Sequence, residues 1–262
     1  MPTVRTELRD GGVLVATLDR PPANAIDEAL LRDLDAAIAV SESDDRVRAV
    51  VLTGAGPFFS GGFDLRAPRR EDDTARALRD LYRDVHLRLL TLPKPTVAMV
   101  RGHAIAGGLV LVLACDYRLA ADADYKIGLN EVAIGASFPR VALEIVRLRL
   151  THARAAELVL GAALYPASQA PRLGVVDELL PAETLEETVM RRAARLGGFP
   201  REAYSHTKAA LVAEAAARVR SETDDEAERT AAVWTTEESR AARARQRAKL
   251  GGASAPRSGG KP

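Results

Sequence analysis

The sequence predicts an α/β fold. In its first half, short β-branched stretches such as VRAVVLTG (47–54) and TVAMV (96–100) alternate with segments of helical period, the pattern of strands and helices stacked in layers. In its second half the strand signal nearly vanishes and helical period dominates, so a helical region should follow the α/β core. A chain of 262 residues with 47% hydrophobic side chains is long enough to bury one large core.

Taken in order, residues 3–9 and 13–18 read as paired strands joined through the turn Asp10-Gly11-Gly12. Asp27 can cap a helix running to about residue 42, with Leu30, Leu34 and Ile38 on one face. Residues 47–54 form a buried strand ended by glycine. A helix near 73–91 stops at Pro93 and Pro95. The strand 96–100 leads through a glycine turn into an apolar helix at 106–114, and YRLAA (117–121) returns as a strand. Helices then follow at about 139–149, 151–160, 182–196, 201–218 and 222–249, with one strand at GVVDEL (174–179). The last helix opens on Glu222, Asp224 and Asp225 and ends among Arg243, Arg245, Arg247 and Lys249, as the helix dipole prefers. Three regions result: a core over 1–195, a helical region over 196–250, and a polar tail over 251–262 expected to be disordered.

Charge is nearly balanced, 37 basic against 36 acidic side chains, so no general electrostatic attraction to nucleic acid or anionic lipid is expected. The single cysteine, Cys115, rules out an internal disulfide framework and suits a small buried apolar role. The start, MPTVRTELRD, lacks the apolar run of a signal peptide. The most apolar stretch, 104–115, stops at Asp116, short of the roughly 20 residues a spanning helix needs. A cytoplasmic protein is expected.

The stretch TGAGPFFSGGFDL (53–65) invites three readings, and its spacing refuses each. A dinucleotide fingerprint fails because Phe59 stands where the third glycine belongs. A P-loop fails because Gly62-Phe63 replaces the lysine and hydroxyl. A nucleophile elbow at Ser60 fails because Phe58 occupies the first glycine position. Main-chain chemistry remains. Gly61 and Gly62 let the backbone approach a ligand and leave the Phe63 N–H as a donor. Ala106-Gly107-Gly108 repeats the theme at a helix start, where the first N–H groups lack internal partners. Two such N–H groups converging on one point would make an oxyanion hole; either glycine pair alone reads equally as a turn or packing feature.

Together these residues resemble the crotonase superfamily, the enoyl-CoA hydratases and isomerases. RPPANAIDEALLRDL (20–34) is similar to the family's N-terminal segment, FFSGGFDL (58–65) to its first oxyanion loop, and residues 94–135 to its second loop, core helix and catalytic segment. The resemblance covers about residues 3–250. It implies a spiral of ββα units with a C-terminal helical region that assembles trimers or paired trimers, acyl-CoA substrates, and no metal or other cofactor. By position it implies that the N–H groups of Phe63 and Gly107 hold the thioester oxygen and that Glu131 is the acid/base. Ala23, Ala25 and Ser60 would line the CoA channel, and Gly61, Gly62, Asp64, Leu65, Gly108 and Val110 would border the substrate.

One departure bears on the chemistry. Hydratases of the family carry a glutamate three residues after the oxyanion glycine, paired with a second across the enoyl group; here that position is Val110. Three residues is almost one helical turn, so Val110 should face the acyl chain beside Gly107. A single base still suffices to move a double bond, by taking a proton from C2 and returning one to C4. Glu131, expected to be partly desolvated among Ile127, Leu129 and Val132, would have its pKa raised. The resemblance therefore favours a 3,2-enoyl-CoA isomerase. A hydratase or another lyase using a polar group from the 73–91 helix (Asp84 or His86) and a silent acyl-CoA-binding protein are the alternatives. Without the family, Glu131 reads as a surface glutamate early in a short helix. His103 could touch substrate or bond nearby backbone, and Asn130 could orient Glu131 or cap the helix. Asp64 suits bracing its loop, while Arg66, Arg69 and Arg70 could meet CoA phosphates or solvent. The basic run 240–249 reads as a solvated face.

Overall fold

The computed structural model describes residues 2–64 and 73–252. Strands β1 (Val4–Arg9) and β2 (Val13–Leu18) pair antiparallel from Val4↔Leu18 to Arg9↔Val13 around a tight turn at Asp10–Gly12. Helix α1 (Glu28–Ser43) starts where expected, with the Asp27 carboxylate accepting from the Leu30 N–H at 2.9 Å. Three successive turns of chain then follow one pattern: β3 (Ala49–Gly54), β4 (Phe58–Ser60) and helix α2 (Asp73–Thr91); β5 (Thr96–Val100), β6 (His103–Ile105) and helix α3 (Gly107–Ala114); β7 (Tyr117–Asp122), β8 (Lys126–Gly128) and, after a 3-10 turn at Val132–Ile134, helix α4 (Arg140–Arg149). In each turn the first strand joins one sheet and the second strand joins another. This is a spiral of ββα units.

The remaining elements are α5 (His152–Gly161), β9 (Tyr165–Pro166), α6 (Ala170–Leu173), β10 (Glu178–Pro181), α7 (Ala182–Gly197), α8 (Arg201–Arg220), α9 (Asp224–Val233) and α10 (Glu237–Gly252). The larger sheet has the order β1-β2-β3-β5-β7-β10, parallel beyond the first hairpin. Its strands β3 and β5 are buried on both faces, as continuous apolar runs require. The smaller sheet runs β4-β6-β8-β9. Helix α7 packs across the large sheet, and α3 is buried at every one of its eight positions. Fully burying each of its leucines and valines contributes roughly 1.5–3 kcal/mol, so this short helix is an anchor for whatever its N-terminus carries. Among the described residues no helix is long and apolar enough to cross a membrane.

The structure differs from the sequence expectations in three places. The small sheet was not anticipated, because its strands span two or three residues and pair with segments far away in sequence, as Phe58 does with His103. The strand expected at 174–179 lies instead at Glu178–Pro181. Gly174, at a φ of 76°, ends α6, and residues 175–177 connect. The helix expected over 222–249 is two helices. Thr223 and Glu226 form a reciprocal cap on α9, and the chain then breaks at 234–236 so that Trp234 turns inward. Helix α10 runs to Gly252, two residues into the segment expected to be the tail; residues 253–262 lie outside the described part.

Candidate active site

The loop after β4 and the start of α3 are held together by their glycines. Gly62, at a φ of 79°, lies so close to the second loop that a Cβ there would meet the Ala106 Cβ at 2.8 Å and the Gly107 nitrogen at 3.2 Å. Gly108 sits against β4: a Cβ there would stand 2.2 Å from the Ser60 carbonyl oxygen. Ser60, fully buried, turns its Oγ to accept from the Gly62 N–H at 3.2 Å. Thus Ser60, Gly62 and Gly108 lock the two loops to each other.

The first loop is also pinned from the other side. Ile26 and Phe63 form a parallel bridge. The Ile26 N–H donates to the Gly62 carbonyl at 2.7 Å, and the Asp64 N–H donates to the Ile26 carbonyl at 3.0 Å. In a parallel bridge the flanking residues take these bonds, so the Phe63 N–H points to the opposite side, away from Ile26. The Gly61 N–H donates to the Ala23 carbonyl at 2.8 Å, which ties the 20–26 segment to the same loop. Asn24, a residue the sequence did not single out, completes the tie. It is 2% exposed, adopts a φ of 47°, and donates from Nδ2 to the carbonyls of Ala55 and Phe58 at 2.9 and 2.7 Å. Ala25 follows it, and its carbonyl accepts a 3.4 Å bond from Arg20. Arg20 bridges the carboxylates of Asp27 and Asp64 at 2.8 and 2.9 Å, so Asp64 braces the loop.

Helix α3 begins at Gly107, with Ala106 as N-cap at a φ of 53°. The Leu109 and Val110 N–H groups turn back to the Ala106 carbonyl, whereas the Gly107 N–H is at the first helical position, where no intrahelical acceptor exists. Val110 is fully buried one turn further on. The Ala106 N–H donates to the Gly128 carbonyl at 2.8 Å, which couples this turn to β8 and so to the segment carrying Glu131.

Glu131 is 6% exposed and stands at the start of the Val132–Ile134 turn, without a side-chain cap bond. Its Oε2 is buried with no hydrogen-bond partner among the described residues. Desolvation pushes its pKa from 4.5 up to about 8, opposed only by its own backbone N–H. It is not a surface glutamate. Ile127 and Leu129 are buried as expected, but Val132 is 47% exposed and does not shield it. Trp234, from the break between α9 and α10, packs with Ile134, Ala136 and Phe63 and donates from Nε1 to the Ser137 carbonyl at 3.0 Å. Arg243 lies over the Trp234 ring at 5.8 Å and bonds the Gly135 carbonyl at 3.2 Å. The break between α9 and α10 therefore closes over the 134–137 stretch that follows Glu131 in its own chain.

Phe63 joins these parts. Its ring stacks on Tyr82 of α2 at 4.8 Å and meets Trp234 edge-on at 6.1 Å. Tyr82 feels the charge of Glu131 and lies beside Gly107, so one aromatic group is placed among all three residues singled out from the sequence. His86, also on α2, is fully buried and pushed down to about 4 by desolvation, hence neutral. Asp84 is exposed and paired with Arg83. His103 accepts from the Lys126 N–H at 3.0 Å, the turn-histidine role. Cys115 is buried. Leu65, Arg66, Arg69 and Arg70 lie outside the described residues. No group of three or more His, Cys, Asp or Glu side chains among the described residues is arranged to hold a metal. Tyr82 and Trp234 were missed because an aromatic residue in a helical pattern looks like any core residue.

A family model for enoyl-CoA hydratase/isomerase matches residues 9–248. Human mitochondrial enoyl-CoA delta isomerase 1 is 32% identical over 221 residues, 81% of this chain and 72% of that protein. A probable enoyl-CoA hydratase, echA17, of Mycobacterium avium is 32% identical over 207 residues, 78% of this chain and 79% of its own. The crystal structure of human mitochondrial Δ3-Δ2-enoyl-CoA isomerase superposes with a TM-score of 0.89 at 26% identity, covering 97% of this chain and all of that one. The chain belongs to the enoyl-CoA hydratase/isomerase family, within the crotonase superfamily.

Proposed function

We propose that this protein converts a 3-enoyl-CoA to a 2-enoyl-CoA, with Glu131 as its only acid/base. The observation that carries the proposal is a buried carboxyl left unsatisfied: Glu131 Oε2 has no partner among the described residues, while position 110, where a family hydratase has its other glutamate, is a fully buried valine.

The N–H groups of Phe63 and Gly107 hold the thioester oxygen. The Glu131 carboxylate takes a proton from C2. The C–H electron pair becomes the C1–C2 double bond of a dienolate, and the charge moves to the oxygen. Glu131 then gives the proton to C4, where the C3–C4 π pair forms the new C–H bond; the C1–C2 pair shifts to C2–C3, and the oxygen's charge re-forms the carbonyl. Atoms balance with no added cofactor, since CoA is part of the substrate. The raised pKa of Glu131 brings it closer to the weakly acidic carbon it must deprotonate. Each hydrogen bond to the enolate oxygen is worth about 3–4 kcal/mol of barrier in such sites. The proposal includes self-association as trimers or paired trimers through the helical region 196–250, which sedimentation measures.

The test uses 3-hexenoyl-CoA and 2-hexenoyl-CoA with the wild-type protein. Isomerisation of the first with little hydration of the second is expected. Hydration without isomerisation would replace this function with that of a hydratase, and binding without turnover would leave an acyl-CoA carrier.

A further inference from the structure

Helix α2 carries a polar atom that neither the fold nor the mechanism above uses. Tyr82 is 2% exposed; its hydroxyl makes no hydrogen bond among the described residues and, unlike Glu131 Oε2, is not fully enclosed, so it keeps a little surface. The chain does not treat its other buried tyrosines this way. Tyr125, 3% exposed, donates to the Ala121 carbonyl at 2.9 Å, and even the half-buried Tyr204 donates to Asp116 at 3.1 Å. A hydroxyl without a protein partner, at the end of an otherwise buried side chain, can donate to a ligand that reaches it.

That position is specific. The Tyr82 oxygen lies 3.4 Å from where a Cβ on Gly107 would stand. A Cβ at 107 would be crowded by Ile26 Cδ1 at 3.1 Å and in ordinary contact with the hydroxyl, so the hydroxyl lies beside Gly107 at the start of α3. The ring is held on both sides, by Phe63 at 4.8 Å and by His86 at 3.9 Å. His86 is itself fixed through Nδ1 and the Tyr82 carbonyl at 2.8 Å. Burial and the charge of Glu131 both raise the Tyr82 pKa above its ordinary value, so the phenol stays protonated and acts as a donor.

We propose that the Tyr82 hydroxyl is a catalytic residue, a third hydrogen-bond donor to the acyl thioester as its oxygen gains charge beside Gly107. The proposal rests on the isomerase function above. It assigns to Tyr82 the place on α2 that the sequence left between Asp84 and His86. Asp84 is exposed and paired, and His86 is neutral, stacked on the Tyr82 ring with its interactions going to the Tyr82 and Gly107 backbone.

The test is Tyr82→Phe, which removes one oxygen and keeps the ring packing. With 3-hexenoyl-CoA, kcat should fall about 10- to 100-fold with KM nearly unchanged, the split expected when an interaction forms only in the transition state. Exchange of the C2 protons of hexanoyl-CoA with deuterated solvent should slow by a similar factor. Binding of hexanoyl-CoA and the melting temperature should stay as in the wild type. An unchanged kcat in the variant, beside an active wild type, overturns the role of Tyr82 alone. A fall in kcat that tracks a loss of melting temperature or of hexanoyl-CoA binding makes Tyr82 a packing residue and also overturns it. A wild type that neither isomerises nor exchanges overturns the isomerase function and this role with it.

Discussion

Two carboxylates show how differently this chain treats a charge held away from water. Asp116, between α3 and β7, has a side chain 11% exposed and several donors: Oδ2 accepts from the Thr96 N–H at 3.0 Å, from Tyr204 at 3.1 Å and from Lys208 at 2.7 Å. Glu131 is equally sheltered, and its Oε2 has no donor among the described residues. The first is saturated and ties β5, β7 and α8 together. The second is left unsatisfied, in a protein that elsewhere satisfies its buried acids; Glu144, 2% exposed, is bonded by both Arg147 and Arg218. Where burial comes with partners it builds structure, and where it comes without them it leaves reactivity.

The contrast breaks most readily at Glu131. Glu131→Gln should lower isomerisation by about a thousandfold, within the range for loss of a general acid/base, while CoA thioester binding survives. Turnover indifferent to the change would make Glu131 as structural as Asp116. The reciprocal experiment is Asp116→Ala, which strands the Lys208 ammonium, 6% exposed, without its anion. Removing one partner of a buried pair costs about 3–5 kcal/mol, so chemical unfolding should show a large loss of stability, with turnover per folded molecule nearly unchanged. A stable Asp116→Ala protein would show that the network is idle.

A smaller effect separates the two carboxylates by sign. The folded state holds the Glu131 proton up to about pH 8, whereas an unfolded glutamate releases it near 4.5. Below the unfolded value both states are protonated and no cost arises; stability is then lost as pH rises through the interval to about 8. Glu131→Gln should therefore be more stable than the wild type at pH 9, by on the order of a few kcal/mol, and equal to it at pH 4. Melting temperatures at the two pH values decide this, and a variant less stable at pH 9 would mean that the carboxylate has partners after all.

The sequence allowed much of this to be read and concealed the rest for physical reasons. Long elements with strong period, such as β3, β5, α1 and α8, were legible because each carries its own pattern. The three-residue strands of the small sheet carry none, since their pairing comes from the spiral. The break at Trp234 was hidden because residues 222–249 keep helical composition throughout; only the pocket over Phe63 draws the tryptophan out of register. At the site, Gly62, Gly107 and Glu131 stood out because bare backbone and a carboxyl are chemically conspicuous. Asn24 and Tyr82 did not, since one resembles a turn residue and the other a core residue until the fold shows what lies beside them. Glu131 was expected to lie among Ile127, Leu129 and Val132; the first two are buried, but Val132 is 47% exposed, and Trp234, about a hundred residues on, packs on Ile134 and Ala136 just beyond it.

The most direct test of a carboxyl poised by burial is the pH dependence of kcat/KM for 3-hexenoyl-CoA, which reports the free protein. The rate should climb about tenfold per pH unit through the acid range and level off near pH 8, where Glu131 ionises. A profile already flat above pH 5 would mean that Glu131 titrates like an ordinary solvated glutamate, and would contradict the account.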